Sequence, residues 1–429
     1  MSTLMSARRL FSPPVQMAAG LGVFGLAGYV FVALTGHTLD TDQANLAVTF
    51  YFLVNVIGPG IFAALEQVAS RAATSAASSG AALKPVIGRV FRSAAALVAV
   101  VVALLLLLAP FAVDRTLGGD WALFAEILAT PVVIAVLSAV RGVLAGTQRF
   151  GAYALTLGVE GGARLVLCVA LVLLGVGETW LFGLAYLGAS VVATLVGLVL
   201  LPRTSVGADR APAPMGRGLA MLAVATLLAQ LLPNLAPLAV GTRLPLDSAV
   251  ALAFGQAVVV ARIPLLVLFP VQTMLLPSLT DAVTRGDRVF VVRRVKLVLG
   301  AVVLLGAVYA LLFTLFGPWV LRTFMGTRAD LGTPVTLLLA LSTVVLIAAF
   351  AAQPALVALR RDNVVTLGWA LGSAATLALV VLPGDPPLVA SVAQTLGPAL
   401  TLLVILLGLR SALRGLVGAP DADTTPAPP

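Results

Sequence analysis

One arginine stands inside an apolar run of about thirty residues, 251–280, which reads ALAFGQAVVVARIPLLVLFPVQTMLLPSLT. About 20 apolar residues span a bilayer, so Arg262 falls well inside the hydrocarbon zone. An arginine there costs roughly 2.5–3.5 kcal/mol to insert. A guanidinium held at that depth does one of two things. It belongs to a polar path through the protein as a functional group, or it pairs with a carboxylate or backbone carbonyls and only ties helices together.

Glu160 and Arg164 lie four residues apart in a second apolar segment, hence on one helix face. Thr156 and Cys168 extend that stripe by a turn in each direction. The pair reads either as a self-neutralised couple that tolerates burial or as part of a polar lining. Even the first reading demands a face turned away from lipid. Glu126 falls near the outer end of its own segment, where a simple interfacial position would explain it. If the chain is a coupled transporter, either Glu126 or Glu160 titrates or the membrane potential acts on a charged cargo, and the sequence does not choose. Asn55, Gln230, Asn234, Gln256 and Gln272 are neutral amides inside apolar segments. They suit hydrogen bonding to sugars in a cavity. They equally suit helix-to-helix bridges worth about 1 kcal/mol each.

Other chemistries find no support. Gly20-Leu-Gly22-Val-Phe-Gly25 fits a dinucleotide fingerprint, and Asp40 follows it. No strand precedes it, however, and small residues inside a membrane helix serve close packing. Gly142-x-x-x-Gly146 and Gly158-x-x-x-Gly162 read the same way. There is no P-loop, no acid pair spaced for catalysis and no credible Ser/His/Asp set, so an enzyme is not expected. With one cysteine, Cys168, and one histidine, His37, neither a disulfide nor a metal cluster can form within the chain, and no cofactor is expected.

The elements that must position these residues are membrane helices. The chain of 429 residues is 60% hydrophobic and only 10% charged, with a mean hydropathy of +1.11. Those values lie far outside soluble norms and predict an all-α polytopic membrane protein. About twelve spans are expected, with cores at 15–34, 45–65, 90–111, 121–145, 152–173, 180–201, 218–240, 251–280, 291–315, 334–356, 364–382 and 388–407. The eighth is too long for one straight crossing, so it is expected to tilt or to run past the membrane surface. Arg8 and Arg9 precede the first span with no clear cleavage site after it, which predicts a retained helix.

Charge supplies orientation. With a cytoplasmic N-terminus, twenty Arg and Lys, Arg141 among them, fall at inner loops and ends, against Arg115, Arg243, Arg322 and Arg328 outside. Acids show no such bias, as the positive-inside rule requires. The net charge of +9 is therefore a matter of topology and not a sign of nucleic acid. Both termini are expected in the cytoplasm. The segment 202–216, PRTSVGADRAPAPMG, reads as a linker between a six-helix N-lobe at 15–201 and a C-lobe at 217–412. Residues 1–14 form a short cytoplasmic N-terminus. Residues 413–429 form a Pro-rich tail expected to be disordered. A weak repeat joins the lobes: at an offset of 205, Asp42 matches Asp247, Pro59 matches Pro264, Gln67 matches Gln272 and Arg89 matches Arg294. Repeated halves with a site between them are a common transporter plan.

At this point the motifs resemble a family. Arg141-Gly142-Val-Leu-Ala-Gly146-Thr-Gln-Arg149-Phe150, running into Glu160-Gly161-Gly-Ala-Arg164-Leu, is similar to the fourth and fifth helices of bacterial polysaccharide-biosynthesis flippases. Ala261-Arg262-Ile-Pro264-Leu through Val271-Gln272-Thr-Met-Leu-Leu-Pro277 is similar to their eighth helix. These flippases are the oligosaccharidyl-lipid members of the multidrug/oligosaccharidyl-lipid/polysaccharide (MOP) superfamily. The resemblance implies a V-shaped pair of six-helix lobes around a cavity open to one leaflet at a time. It also implies a monomer and a bacterial cytoplasmic membrane, which the excess of Arg over Lys also suggests. The implied cargo is a polyprenyl-diphosphate-linked glycan, moved from the inner to the outer leaflet for cell-surface polysaccharide. The first two spans carry no arginine in their cores, a departure from the lipid II flippase pattern that argues against peptidoglycan precursor. On the physical reading, Arg262, with Arg164 beside it, engages the diphosphate and the amides contact sugar. The competing readings are a multidrug or cation antiporter of the same superfamily, a membrane glycosyltransferase, and a non-transporting envelope scaffold. An antiporter calls for buried acids, yet the first and seventh spans have none.

Overall fold

The computed structural model describes residues 13–202, 216–285 and 287–415. Thirteen α-helices, and no strand, make up these residues. They are α1 (Pro13–Thr38), α2 (Thr41–Ser78), α3 (Leu83–Thr116), α4 (Trp121–Gly146), α5 (Phe150–Leu173), α6 (Thr179–Val199), α7 (Gly216–Arg243), α8 (Ala249–Ala261), α9 (Leu265–Thr284), α10 (Arg288–Met325), α11 (Gly332–Ala358), α12 (Asp362–Val380) and α13 (Pro386–Gly415). Eleven are long and apolar enough to cross a membrane. The remaining two, α8 and α9, together cover the eighth sequence segment. The protein is an integral, multi-pass membrane protein. An all-helical solution follows from the solvent: in lipid each backbone N–H and C=O must find its partner within its own segment or a closed barrel.

Helix ends follow local chemistry. Asp120 accepts a hydrogen bond from the Leu123 amide at 2.9 Å and caps α4. Asp287 does the same for α10 through the Phe290 amide, also at 2.9 Å. α2 and α10 each run 38 residues, about 57 Å at 1.5 Å per residue. Both exceed the hydrocarbon thickness, so their ends continue past the apolar cores read from sequence.

The eighth segment is neither a tilted nor an overlong single helix. It is interrupted at Arg262-Ile263-Pro264, between α8 and α9. Proline has no N–H and its ring crowds the preceding turn. Here the chain tightens instead: the Leu265 amide turns back to the Arg262 carbonyl at 2.9 Å and the Leu266 amide to the Ile263 carbonyl at 3.1 Å. That leaves the Ala261 carbonyl without its helical partner, and the Tyr309 hydroxyl donates to it at 2.7 Å. Pro59, the repeat counterpart of Pro264, lies inside an unbroken α2.

The chain forms two compact units. The first holds Met1–Val260 with Pro318–Leu331 and Asp385–Pro387, and the second holds Ala261–Gly317, Gly332–Gly384 and Leu388–Pro429. Within the first, α1 packs along α5, and α2 packs along both α4 and α7. Asn45 ties the start of α2 to the turn after α7, donating to the carbonyls of Leu246 at 2.7 Å and Ser248 at 3.0 Å. Within the second, α9 packs on α11 and α11 on α12. Most of the linker and the tail lie outside the described residues, and the division into lobes at 202–216 remains a proposal.

Glycines explain the close approaches in the first unit. A Cβ on Gly142 would stand 2.5 Å from the Glu66 carbonyl oxygen, and one on Gly146 would collide with the Ser70 carbonyl, so α4 lies directly on α2. Gly158 and Gly162 do not repeat this: both face open space. On α5 the close approach is made by Gly161, whose Cβ would meet the Phe24 backbone of α1 at 2.8 Å.

Candidate functional site

The Glu160–Arg164 stripe of α5 is the centre of a buried polar cluster in the first unit. Helical spacing puts Thr156, Glu160, Arg164 and Cys168 on one face, and all four are buried. α4 and α6 close over them. Glu160 Oε2 accepts from Arg141 Nη2 at 2.7 Å, while Oε1 accepts from Arg164 Nη2 at 3.1 Å and Ser190 Oγ at 2.7 Å. Arg141 Nε also donates to Thr156 Oγ1 at 3.0 Å. The Arg164 guanidinium lies 3.5 Å over the Tyr186 ring, with Phe24 at 5.4 Å. A cation against aromatic faces is well suited to a site without water.

One carboxylate thus holds two guanidiniums. Arg164 is 1% exposed and Glu160 2%, so in this conformation neither offers a surface to a ligand. Arg164 Nε carries no hydrogen bond. Arg141 is the residue that sequence reasoning misplaces. Charge bias counts it among the solvated inner ends, but the packing of α4 against α5 buries it beside Glu160. Its position four residues inside the end of the 121–145 segment was the available signal. Next to the cluster, the Tyr153 hydroxyl donates to Glu66 Oε1 at 2.6 Å.

Glu126 is not at a solvated edge. It is 5% exposed and its Oε2, which has no hydrogen-bond partner, is pressed against Gly183 of α6, where any Cβ would collide with it. That glycine makes room for the carboxylate.

The amides divide. Gln256 is fully buried and committed at both ends: Nε2 donates to the Met325 carbonyl at 2.8 Å and Oε1 accepts from Thr327 Oγ1 at 2.6 Å. It bridges segments of the first unit. Asn234 is buried and donates to the Gln230 carbonyl one turn back at 2.7 Å. Gln230 is half-buried, its Cβ against Gly60. Asn55 is half-buried, donates to the Tyr51 carbonyl at 2.8 Å, and its side chain also reaches Tyr186, which joins it to the edge of the arginine cluster. The Gln272 side chain lies outside the described residues. Arg262 belongs to the second unit and is half-buried in the turn between α8 and α9. Within the first unit the fold therefore brings together Glu160, Arg164 and Asn55, and gives Glu126 and Gln256 other surroundings.

No family model matches the sequence, and no curated protein sequence does. Solved structures do match. An inward-facing multidrug resistance MATE family transporter of the MOP superfamily superposes with a TM-score of 0.73 at 14% identity, covering 92% of this chain and 95% of that one. Lipid II flippase MurJ, in an inward closed conformation, gives 0.66 at 11% identity over 94% and 90%. A point mutant of the Vibrio cholerae MATE transporter VcmN gives 0.63 at 18% identity over 96% and 98%. At these identities the likeness shows the fold: the chain has the all-helical fold of MOP superfamily transporters.

Proposed function

We propose that the protein is a transporter that moves a polyprenyl-diphosphate-linked glycan from the cytoplasmic to the outer leaflet by alternating access, in support of cell-surface polysaccharide synthesis. On this reading it sits in a bacterial cytoplasmic membrane with both termini inside and acts as a monomer. The observation that carries the reading is Arg262. It is a guanidinium at an interruption in an otherwise apolar segment; the residue as a whole is half-buried, while its Nε and Nη2 are buried. Discontinuous membrane helices are where transporters of other folds hold charged cargo. On this reading Arg262 engages the diphosphate and the amides contact sugar; of the four amides whose side chains are described, Asn55 and Gln230 are half-buried while Asn234 and Gln256 are buried. Arg164 becomes available only if the cluster opens.

A multidrug or cation antiporter is the second reading, and Glu126 favours it: a buried carboxylate oxygen without a partner is the kind of group that takes up a proton or a cation. Against it, the most buried acid, Glu160, is already held by two arginines. The test is leaflet-resolved. The protein is depleted in its host, and lipid-linked glycans are probed with a membrane-impermeant glycan-modifying reagent from outside. Protection of one species supports the flippase and identifies the cargo. Unchanged glycans with altered sensitivity to cationic drugs would establish the antiporter, and no change in either would leave a scaffold.

A further inference from the structure

The second unit contains an apolar groove. It runs along α10, where Leu297, Val298, Ala301, Val302, Leu305 and Tyr309 form one wall. Val344 and Ile347 of α11 form the other, and Pro264 stands at its end. Its volume is about 410 Å³, within the 300–1,000 Å³ range usual for small-molecule sites. The floor exists because Gly306 lets Val344 come closer than any side chain would permit. The lining is hydrocarbon apart from Tyr309, whose hydroxyl is already given to the Ala261 carbonyl.

Spacing tells what the groove fits. From Leu297 to Tyr309 is about 18 Å along the helix axis. A single leaflet of hydrocarbon is about 15 Å deep, half of the bilayer core. The stripe that lines the groove recurs in steps of four, and one turn before Leu297 and Val298 it continues as Arg293 and Arg294. Both are exposed. Of the acids at this end, Asp281 pairs with Arg285 at 2.6 Å, Asp287 caps α10, and Asp362 stands in the first turn of α12. The bias of basic residues assigns this end to the cytoplasmic face. Two guanidiniums at the headgroup level thus lead into an apolar channel one leaflet long. The α10 wall is made of two neighbouring stripes, Leu297, Ala301, Leu305 and Tyr309 beside Val298 and Val302; it faces Val344 and Ile347, and it ends beside the interruption that carries Arg262.

We infer that this groove is the loading seat for the cargo lipid in the cytoplasmic leaflet, with the polyprenyl chain along α10 and the diphosphate on Arg293 and Arg294. The inference rests on the flippase reading and adds a site to it. Purified protein in phosphatidylcholine nanodiscs is titrated with a fluorescent long-chain polyprenyl diphosphate bearing no sugar. Saturable binding is expected. The double substitution Arg293→Gln with Arg294→Gln should weaken it about thirtyfold, at about fivefold per cation near an anionic group. The same pair should leave binding of the uncharged polyprenol unchanged. Ala301→Phe should weaken both probes by about tenfold or more, since it fills the channel with a side chain. Leu305→Trp, at a site already 67% exposed, should do the same without disturbing the fold. Unaltered affinity in L305W and the double Gln variant would overturn the seat, as would equal competition by phosphatidylglycerol, which would make it a bulk-lipid contact. If those variants bind normally while Arg262→Ala abolishes transport, the seat fails and the flippase reading survives. If the wild-type protein binds no polyprenyl diphosphate, the seat falls, and the leaflet-resolved assay decides the flippase reading separately.

Discussion

Replacing Glu160 with alanine removes the one acceptor shared by Arg141, Arg164 and Ser190. Two guanidiniums, 8% and 1% exposed, would then remain in the first unit without the carboxylate that both bind. Removing one partner of a buried ion pair costs about 3–5 kcal/mol, because the other charge stays buried and unpaired. Two stranded cations put Glu160→Ala at the upper end of that range. Glu160→Gln keeps the shape and one carbonyl acceptor and should cost about half as much, since charge-assisted hydrogen bonds are worth roughly twice neutral ones. The opposite sign is expected for the triple replacement Arg141→Met, Glu160→Met, Arg164→Met. A buried triad exchanged for apolar residues of similar volume is often neutral or stabilising. Thermal unfolding of the detergent-solubilised protein, followed by size-exclusion of the surviving monodisperse fraction, reads the series. At about 1–2 °C per kcal/mol for a chain of this length, Glu160→Ala should lower the midpoint by about 5–10 °C, with the triple variant near wild type. A midpoint for E160A within about 1 °C of wild type would refute the brace. If that variant were as stable as wild type yet lost transport, the cluster would be a site for cargo or coupling and not a clamp between α4, α5 and α6.

Arg262→Ala should abolish flipping with protein levels unchanged, while Arg262→Lys should retain part of it, because a point charge replaces a planar fork; transport intact in the alanine variant would end the assignment. Gly146→Leu should prevent accumulation of folded protein, because any side chain there meets the Ser70 backbone, whereas Gly158→Ala faces open space and should stabilise α5 by up to about 1 kcal/mol; equal effects in a thermal-shift assay would contradict the packing. Tyr309→Phe should cost about 1–2 kcal/mol by leaving the Ala261 carbonyl unpaired. The cost should shrink in a Pro264→Ala background, where the helix can run through, and a double-mutant cycle without coupling would refute the link. Glu126→Gln should leave lipid flipping intact and, on the antiporter reading, abolish pH-gradient-driven drug efflux; flipping lost in a stable E126Q protein would make Glu126 part of the flippase mechanism.

Length, hydropathy and helical period were legible without the fold. Apolar segments of bilayer length have one backbone solution in lipid, so the helices at 121–145 and 152–173 could be read to within a few residues. The Glu160–Arg164–Cys168 stripe followed from a period of 3.6. Partners across helices were not legible, because hydropathy averages along the chain and records nothing about what lies beside it. Arg141 looked like an inner-end charge until α4 was packed on α5. Two glycine pairs with the same spacing came apart, Gly142 and Gly146 against α2, Gly158 and Gly162 against nothing. Pro59 and Pro264 hold matching places in the repeat, yet only the second ends a helix. What the amino-acid order determined by itself was where the apolar segments lie, that they are helical, and the charge they carry, since those depend on each segment and its solvent alone. Which charges meet, where the eighth segment breaks and whether Arg262 stands sealed or half-exposed were decided by tertiary structure, because each depends on the helix that comes to lie alongside.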